Sequence, residues 1–184
     1  MKNHIIISLL FLSVGLSQQE YNSNDIVEMD NGLWTEKFSD EPISGKVYGY
    51  FGKESNPKKV YIGNMVNGKK EGRWKSYYHS TGKKKYDENY KDGKLGELRT
   101  EWYENGNIKS ITSHKETRNR IEIVKYVNYY SNGQKKSEIT IKEGKKDGVS
   151  KSWYENGQKE YEKTYKNGNL ISKKEWNEDG SVKE

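Results

Sequence analysis

The chain repeats a short aromatic motif, and this repetition constrains its fold more than any other feature of the sequence. The motif is an aromatic pair followed by a variable residue, asparagine and glycine, and its clearest copies are Trp102–Gly106 and Trp153–Gly157. Its glycines lie at positions 82, 106, 133, 157 and 180, so successive copies are 24, 27, 24 and 23 residues apart. A period of this length is typical of a linear array in which each unit packs only against its neighbours.

A second motif, which we call the lysine motif, lies between copies of the aromatic motif. It consists of Asn, Asp or Glu followed by glycine and usually lysine, and its copies begin at Asn67, Asp92, Glu143 and Asn167. Such pairs provide the positive φ of a tight hairpin, either in a primed turn or in a type I turn followed by a glycine bulge. The predicted turn glycines are Gly68, Gly82, Gly93, Gly106, Gly133, Gly144, Gly157, Gly168 and Gly180.

Side chains alternate in character along the runs between the turns. Aromatic residues occupy even positions after the motif glycine, whereas charged residues such as Asp87 and Glu162 occupy odd positions. Period-two alternation indicates strands with one aromatic or aliphatic face and one charged face. We therefore predict an all-β fold: an elongated single antiparallel sheet of repeated β-hairpins, an open meander of about ten strands and about 50 Å in length. The aromatic face would include Tyr86, Tyr90, Tyr161 and Tyr165.

The first residues predict export to the periplasm, the cell surface or the medium. Lys2 precedes the apolar run 5–12, and residues 15–17 fit a small-x-small cleavage site, so residues 1–17 are interpreted as a signal peptide cleaved near Gln18. An uncleaved membrane anchor is the alternative, although the run is shorter than the roughly 20 residues of a spanning helix. Residues 18–31 are polar and acidic, which predicts a mobile lead-in. A repeat domain follows over 32–184, with a capping unit over about 32–66 and repeats over about 67–184.

The sequence offers little for catalysis. It contains no cysteine, which excludes disulfides and thiolate metal sites, and its three histidines match no spacing of a zinc site or a nucleophile–base pair. Glutamates at 104, 155 and 178 recur at one turn position, so the repeat accounts for them. We predict no enzyme activity, no cofactor and no metal site.

The charge of the chain leaves two interpretations open. The formal net charge is +6, but the lysines are spread among acidic residues, which favours a solvated polar face. The alternative is attraction to an acidic partner such as a protein surface, a polysaccharide or an anionic lipid, the last through peripheral membrane contact. Nucleic acid is disfavoured as a partner, because the repeat already explains the interleaved aromatic and lysine residues.

The two motifs together resemble the bacterial variant of the MORN repeat (membrane occupation and recognition nexus). The resemblance covers roughly residues 43–184 and is carried by Gly68, Gly72, Tyr77, Tyr78 and Gly82, and by Gly144, Gly148, Trp153, Tyr154, Asn156 and Gly157. It implies an elongated hairpin sheet used for protein or lipid contact. It also implies a role as an antitoxin component of the YwqK type. The two function hypotheses are therefore a noncatalytic, exported scaffold that binds proteins or envelope components, and an antitoxin or immunity protein that neutralises a toxin.

One unit departs from the pattern. Between Gly106 and Gly133 the lysine motif is replaced by residues 113–120, in a unit three residues longer than its neighbours. Residues that break a repeat are better candidates for function than residues that recur. We predict a protruding basic loop of Lys115, Arg118 and Arg120 beside the aromatic face, where an acidic protein or envelope component would bind. The alternative is a tolerated surface insertion.

Overall fold

The computed structural model describes residues 19–118 and 121–184, where every regular element is a β-strand. The strands are β1 (Glu20–Asn22), β2 (Ile26–Glu28), β3 (Trp34–Glu36), β4 (Gly45–Phe51), β5 (Lys58–Val66), β6 (Lys69–Tyr77), β7 (Lys84–Lys91), β8 (Lys94–Trp102), β9 (Ile108–Glu116), β10 (Ile121–Tyr129), β11 (Lys135–Lys142), β12 (Lys145–Lys146), β13 (Gly148–Trp153), β14 (Lys159–Lys166) and β15 (Asn169–Glu175). From β4 onward, consecutive strands form antiparallel hairpins in one sheet of 13 strands, with β1 and β15 at its ends and the short β12 beside β11. The predicted all-β open meander is confirmed.

The lead-in segment differs from its prediction. Strand β1 pairs in parallel with β4, and β2 pairs with β3 in a separate two-stranded sheet. Tyr21 and Ile26 are 6% and 7% exposed and belong to the hydrophobic core. The expectation of a mobile lead-in is therefore wrong for these residues, because burial of two large apolar side chains anchors an otherwise polar segment. Residues 1–18, with the predicted signal peptide, lie outside the described residues.

The hydrophobic core lies at the amino-terminal end of the sheet. Its buried members are Tyr21, Ile26, Ile43, Val47, Met65 and Trp74. In the described chain beyond Trp74, the buried residues are Thr112, Ser150 and Ser152. The sheet from β8 onward is thus a single layer, stabilised by strand pairing and by contacts between neighbouring hairpins.

The two motifs form two different kinds of turn. The aromatic turns lie at one end of the strands and the lysine turns at the other end, so each kind follows one side of the sheet. In the lysine turns both central residues have positive φ, as in Asn167 at 49° and Gly168 at 88°, which defines a two-residue primed turn. In the aromatic turns only the glycine does: Gly157 has a φ of 88° and its N–H donates to the Tyr154 carbonyl at 2.9 Å. The Tyr154 N–H donates to the Gln158 carbonyl at 2.8 Å, which completes a type I turn with a glycine bulge. The register shift between Ser152 and Trp153 is a separate bulge, farther from the turn. Both alternatives left open by the sequence therefore occur. All nine predicted turn glycines have φ between 67° and 97°.

The strand register defines the two faces of the sheet, because directly paired residues point to the same side. One row of paired residues crosses the sheet from β6 to β15: Ser76, Tyr86, Glu101, Ser110, Asn128, Ser137, Ser152, Tyr161 and Glu175. We call the side that bears this row the tyrosine face; alternation places Trp74, Tyr90 and Tyr165 on it as well. Serine, asparagine and glutamate separate the tyrosines, so this face is mixed rather than continuously aromatic.

Candidate interaction surface

A ladder of tyrosine hydroxyls joins successive hairpins along the edge that carries the aromatic turns. The second aromatic residue of each motif donates its hydroxyl to the backbone carbonyl of the first aromatic residue of the next motif. The four bonds are Tyr78 to Trp102 at 2.8 Å, Tyr103 to Tyr129 at 2.9 Å, Tyr130 to Trp153 at 2.8 Å and Tyr154 to Trp176 at 2.9 Å. Desolvation raises the pKa of Tyr130 and of Tyr78 above the ordinary tyrosine value.

The motif asparagine forms a second ladder along the same edge. In Asn156, Oδ1 accepts from the Gln158 N–H at 2.9 Å and closes the turn, while Nδ2 donates to the Glu178 carbonyl of the next turn at 2.8 Å. Asn105 and Asn132 also donate to the following turn, at 2.7 and 3.2 Å. The recurring tyrosine and asparagine are therefore structural, and they are not free for a partner.

Many recurring lysines also have partners inside the sheet. The ammonium groups of Lys84, Lys135 and Lys159 lie 4.5, 5.4 and 4.8 Å from the ring centroids of the next motif's tryptophans. On the face opposite the tyrosines, Glu138 pairs with Lys125 at 2.5 Å and with Lys135 at 3.0 Å. Hydrogen bonds from these two lysines hold the pKa of Glu138 below its ordinary value. This pattern supports the interpretation of the lysines as part of a solvated polar surface.

The structure places the four predicted tyrosines on one face but in two separate pairs. Tyr86 and Tyr90 lie on β7, beside the core. The guanidinium carbon of Arg99 lies 4.3 Å from the Tyr86 ring centroid, and the ring centroids of Tyr90 and Trp74 are 6.5 Å apart in an edge-on arrangement. Tyr161 and Tyr165 lie on β14, six strand spacings away, which corresponds to about 29 Å. One small ligand could not contact both pairs.

The predicted basic loop is smaller than expected. Lys115 belongs to β9, where it pairs with Glu122, and alternation places it on the face opposite the tyrosines. Arg118 is exposed in the four-residue connection between β9 and β10, and Arg120 lies outside the described residues. This unit has three more residues than its neighbours. One of them is in β9, which has nine residues, whereas β7 and β11 have eight; the other two are in the connection. Lys115 is therefore a strand residue and not part of a protruding loop, because strand pairing extends to Glu116; partner binding at these residues stays a prediction.

A cleft that the sequence did not predict lies between the β2–β3 hairpin and the tyrosine face. The cleft has a volume of about 290 Å³ and is lined by residues that include Ile26, Trp34, Val47, Lys70 and Trp74. The Lys70 ammonium lies 5.4, 5.1 and 5.0 Å from the ring centroids of Trp34, Trp74 and Tyr90. Burial and the adjacent Glu88 carboxylate raise the pKa of Tyr90. In the sequence, Lys70 is one of several lysines that follow the glycine of the lysine motif, so nothing marks it as different from the others.

The described ranges offer neither a metal-binding cluster nor a membrane-spanning helix. Residues 19–118 and 121–184 contain no group of three or more His, Asp or Glu side chains placed to hold a metal ion. No helix with the length and apolar character required to span a membrane occurs in that part of the chain.

Three segments of the chain match the family model of the MORN repeat variant: residues 98–116, 124–143 and 146–167. Together they cover about a third of the chain, and each contains one aromatic turn with the strands on both sides of it. MORN repeats in general mediate contacts with proteins or membranes and are typically noncatalytic. No curated protein matches the chain. The repeat unit recognised by the family model is therefore the hairpin that the tyrosine and asparagine ladders connect to its neighbours.

Proposed function

We propose that this protein is a noncatalytic, exported scaffold whose repeat sheet binds a protein partner or an acidic component of the cell envelope. The observation that carries the proposal is the single-layer sheet from β8 to β15, in which no described hydrophobic side chain is buried. Seven strands of the main path span about 29 Å and leave both faces open. A surface of this form suits an extended contact rather than a reaction in an enclosed pocket.

The tyrosine face of β10 to β15 is the proposed contact surface. Tyr126, Tyr161 and Tyr165 stand beside small residues, of which Ser150 and Ser152 are buried, so the rings form raised points on the sheet. Aromatic residues of this kind are enriched at the energetic centres of interfaces. Lys163 lies 4.4 Å from the Tyr161 ring centroid and pairs with Glu175 at 2.7 Å, so the rings stand among charged groups of both signs.

Photo-crosslinking from two neighbouring positions tests this assignment. Tyr161 and Glu162 are adjacent in β14, and their side chains lie on opposite faces. With p-benzoylphenylalanine at either position of the full-length protein, an envelope extract should yield an adduct of defined mass from position 161. Position 162 is the matched control and should yield much less. Equal adducts from both positions, or none from position 161, would contradict the proposed contact surface.

The connection between β9 and β10 provides a second test. The combined Arg118→Ala and Arg120→Ala variant should retain the fold and lose affinity for the crosslinked partner, with the largest loss at low salt, where screening is weakest. Unchanged capture at all salt concentrations would identify the connection as a tolerated insertion.

Export remains part of the proposal and rests on the sequence of residues 1–17. Protein recovered from its native envelope or medium should begin within a few residues of Gln18, as determined by amino-terminal sequencing. Recovery of intact Met1 from soluble cytosolic material would contradict export.

Neutralisation of a toxin is the alternative that the family resemblance implies, and it would use the same open faces. A stoichiometric complex with a toxin encoded beside this protein, together with loss of toxicity on coexpression, would favour this role over scaffolding.

A further inference from the structure

The cleft beneath the β2–β3 hairpin has the size and lining of a small-molecule site. Its volume of about 290 Å³ is at the lower end of the range for ligand pockets, which suits a ligand of one or two rings. The indole of Trp74 is held in place, since its Nε1 donates to the Asn64 carbonyl at 3.1 Å and its ring lies against the backbone of Gly63. The apolar lining comes from Ile26, Trp34, Val47, Ile62 and Trp74. A lining that contains two indoles and aliphatic side chains favours a flat aromatic ligand.

The cleft also has a positive charge without a carboxylate partner. In the described part of the chain, Lys70 forms no ion pair, and its ammonium is surrounded by the rings of Trp34, Trp74 and Tyr90. The nearby Glu88 is already engaged: it pairs with Arg99 at 3.0 Å and accepts the Tyr90 hydroxyl at 2.9 Å. Lys70 and Lys75 are the cleft-lining lysines that form no ion pair with the described residues, and Lys70 is the one whose ammonium lies among the aromatic rings, which favours an anionic ligand.

A second polar group in the cleft has no partner. The hydroxyl oxygen of Ser76 is buried and forms no hydrogen bond with the described residues. Buried hydroxyls are nearly always hydrogen-bonded in native proteins, so the Ser76 hydroxyl, like that of Ser150, has a hydrogen-bonding position that a water or a ligand atom can fill; of the two, Ser76 lines the cleft. Ser76 pairs with Tyr86 across β6 and β7, which places its side chain on the tyrosine face, the side that the hairpin covers.

We propose that this cleft binds a small aromatic carboxylate, with the ring between Trp34 and Trp74 and the carboxylate at Lys70. The Ser76 hydroxyl can donate to the same ligand. A neutral aromatic molecule would leave Lys70 without an anion, and a cationic one would be repelled by Lys70. This site lies outside the proposed contact surface on β10 to β15 and does not depend on the scaffold function.

Three naphthalene probes with the same ring system test the proposal on the full-length protein. They are 2-naphthoate, neutral 2-naphthamide and cationic 2-naphthylmethylammonium, and binding is followed through the indole N–H signals of the five tryptophans by NMR. The naphthoate should bind saturably, should shift the signals of Trp34 and Trp74 selectively, and should bind about tenfold more tightly than the amide, as expected for one charge-assisted hydrogen bond. The cation should bind most weakly.

Adjacent lysines provide a matched pair of variants. Lys70→Met should remove the preference for naphthoate over naphthamide, whereas Lys69→Met should retain it, because Lys69 pairs with Asp92 at 2.8 Å. Lys70→Arg keeps the charge and should keep the preference, so the test does not depend on the stability of Lys70→Met alone. Naphthoate binding no tighter than that of the amide, shifts spread over all five indole signals, or an unchanged preference in folded Lys70→Met would each overturn the proposal.

Discussion

Replacement of Tyr130 by phenylalanine tests whether the tyrosine ladder holds successive hairpins together. The change keeps the ring and removes the hydroxyl that donates to the Trp153 carbonyl at 2.8 Å. Trp153 lies at a register shift, where regular strand pairing is interrupted, so its carbonyl depends more on this donor than a carbonyl in mid-strand would. A net hydrogen bond contributes about 0.5–1.5 kcal/mol, and a buried group left unpaired costs about 1–3 kcal/mol. Because this bond is only partly buried, we expect a loss of about 1–1.5 kcal/mol.

The adjacent tyrosine provides the control for this measurement. Tyr129→Phe removes a neighbouring hydroxyl that donates no hydrogen bond within the described residues, and it should change the free energy of unfolding by less than about 0.5 kcal/mol. Urea denaturation followed by circular dichroism measures both variants. Since repeat arrays need not unfold in one step, hydrogen exchange of the β11 to β14 amides should show where stability is lost. Equal urea midpoints for the two variants would refute the structural role of the ladder.

Three further changes test other parts of the architecture. Gly157→Val places a β-branched residue at a φ of 88° and should cost more than about 1 kcal/mol, whereas Gly157→Asn should cost less; equal urea midpoints would contradict the turn assignment. Asn156→Asp keeps the acceptor that closes the turn but loses the donor to the Glu178 carbonyl, so urea denaturation should show a loss of about 1 kcal/mol, and wild-type stability would argue against the asparagine ladder. Glu138 has a lowered pKa in the folded state, so its ion pairs stabilise the protein above the ordinary carboxyl pKa and cease to do so as the pH falls through the folded-state value. Glu138→Gln should therefore be less stable than wild type at neutral pH and equally stable below that pKa; a difference that persists in acid would exclude the charge as its cause.

The meander could be predicted from the sequence because its determinants are local. A turn glycine and the alternating residues on both sides of it specify one hairpin, and repetition specifies the next. The pairing of β1 with β4 has no such local signal. Strands of three residues are too short to show alternation, and the anchoring side chains Tyr21 and Ile26 are isolated among polar residues. Core membership of this segment depends on contacts with residues such as Val47 and Met65.

The candidate site was less predictable, because alternation specifies a face but not a distance. Tyr86 and Tyr161 belong to the same row of paired residues, yet six strand spacings separate them. Likewise, Lys70 belongs to a repeated motif, and its special position arises only because the fold brings Trp34, which lies outside the repeats, close to it. A site formed between a repeat and a non-repeated segment can therefore be recognised only in the three-dimensional structure.

The last aromatic motif differs from the others at the two residues that form the ladders. Asn177 stands in place of the tyrosine and Asp179 in place of the asparagine, while the carbonyl groups of Trp176 and Glu178 still accept bonds from the preceding hairpin. Strand dipoles alternate in an antiparallel sheet, so its backbone has little net polarity. The side chains along these turns nevertheless give the array a direction, because each of the four tyrosine hydroxyls donates to the hairpin that follows it toward the carboxyl terminus. The hairpin of Trp176 accepts both ladder bonds and has neither ladder donor, so a further turn stacked beyond it would receive no bond of this kind.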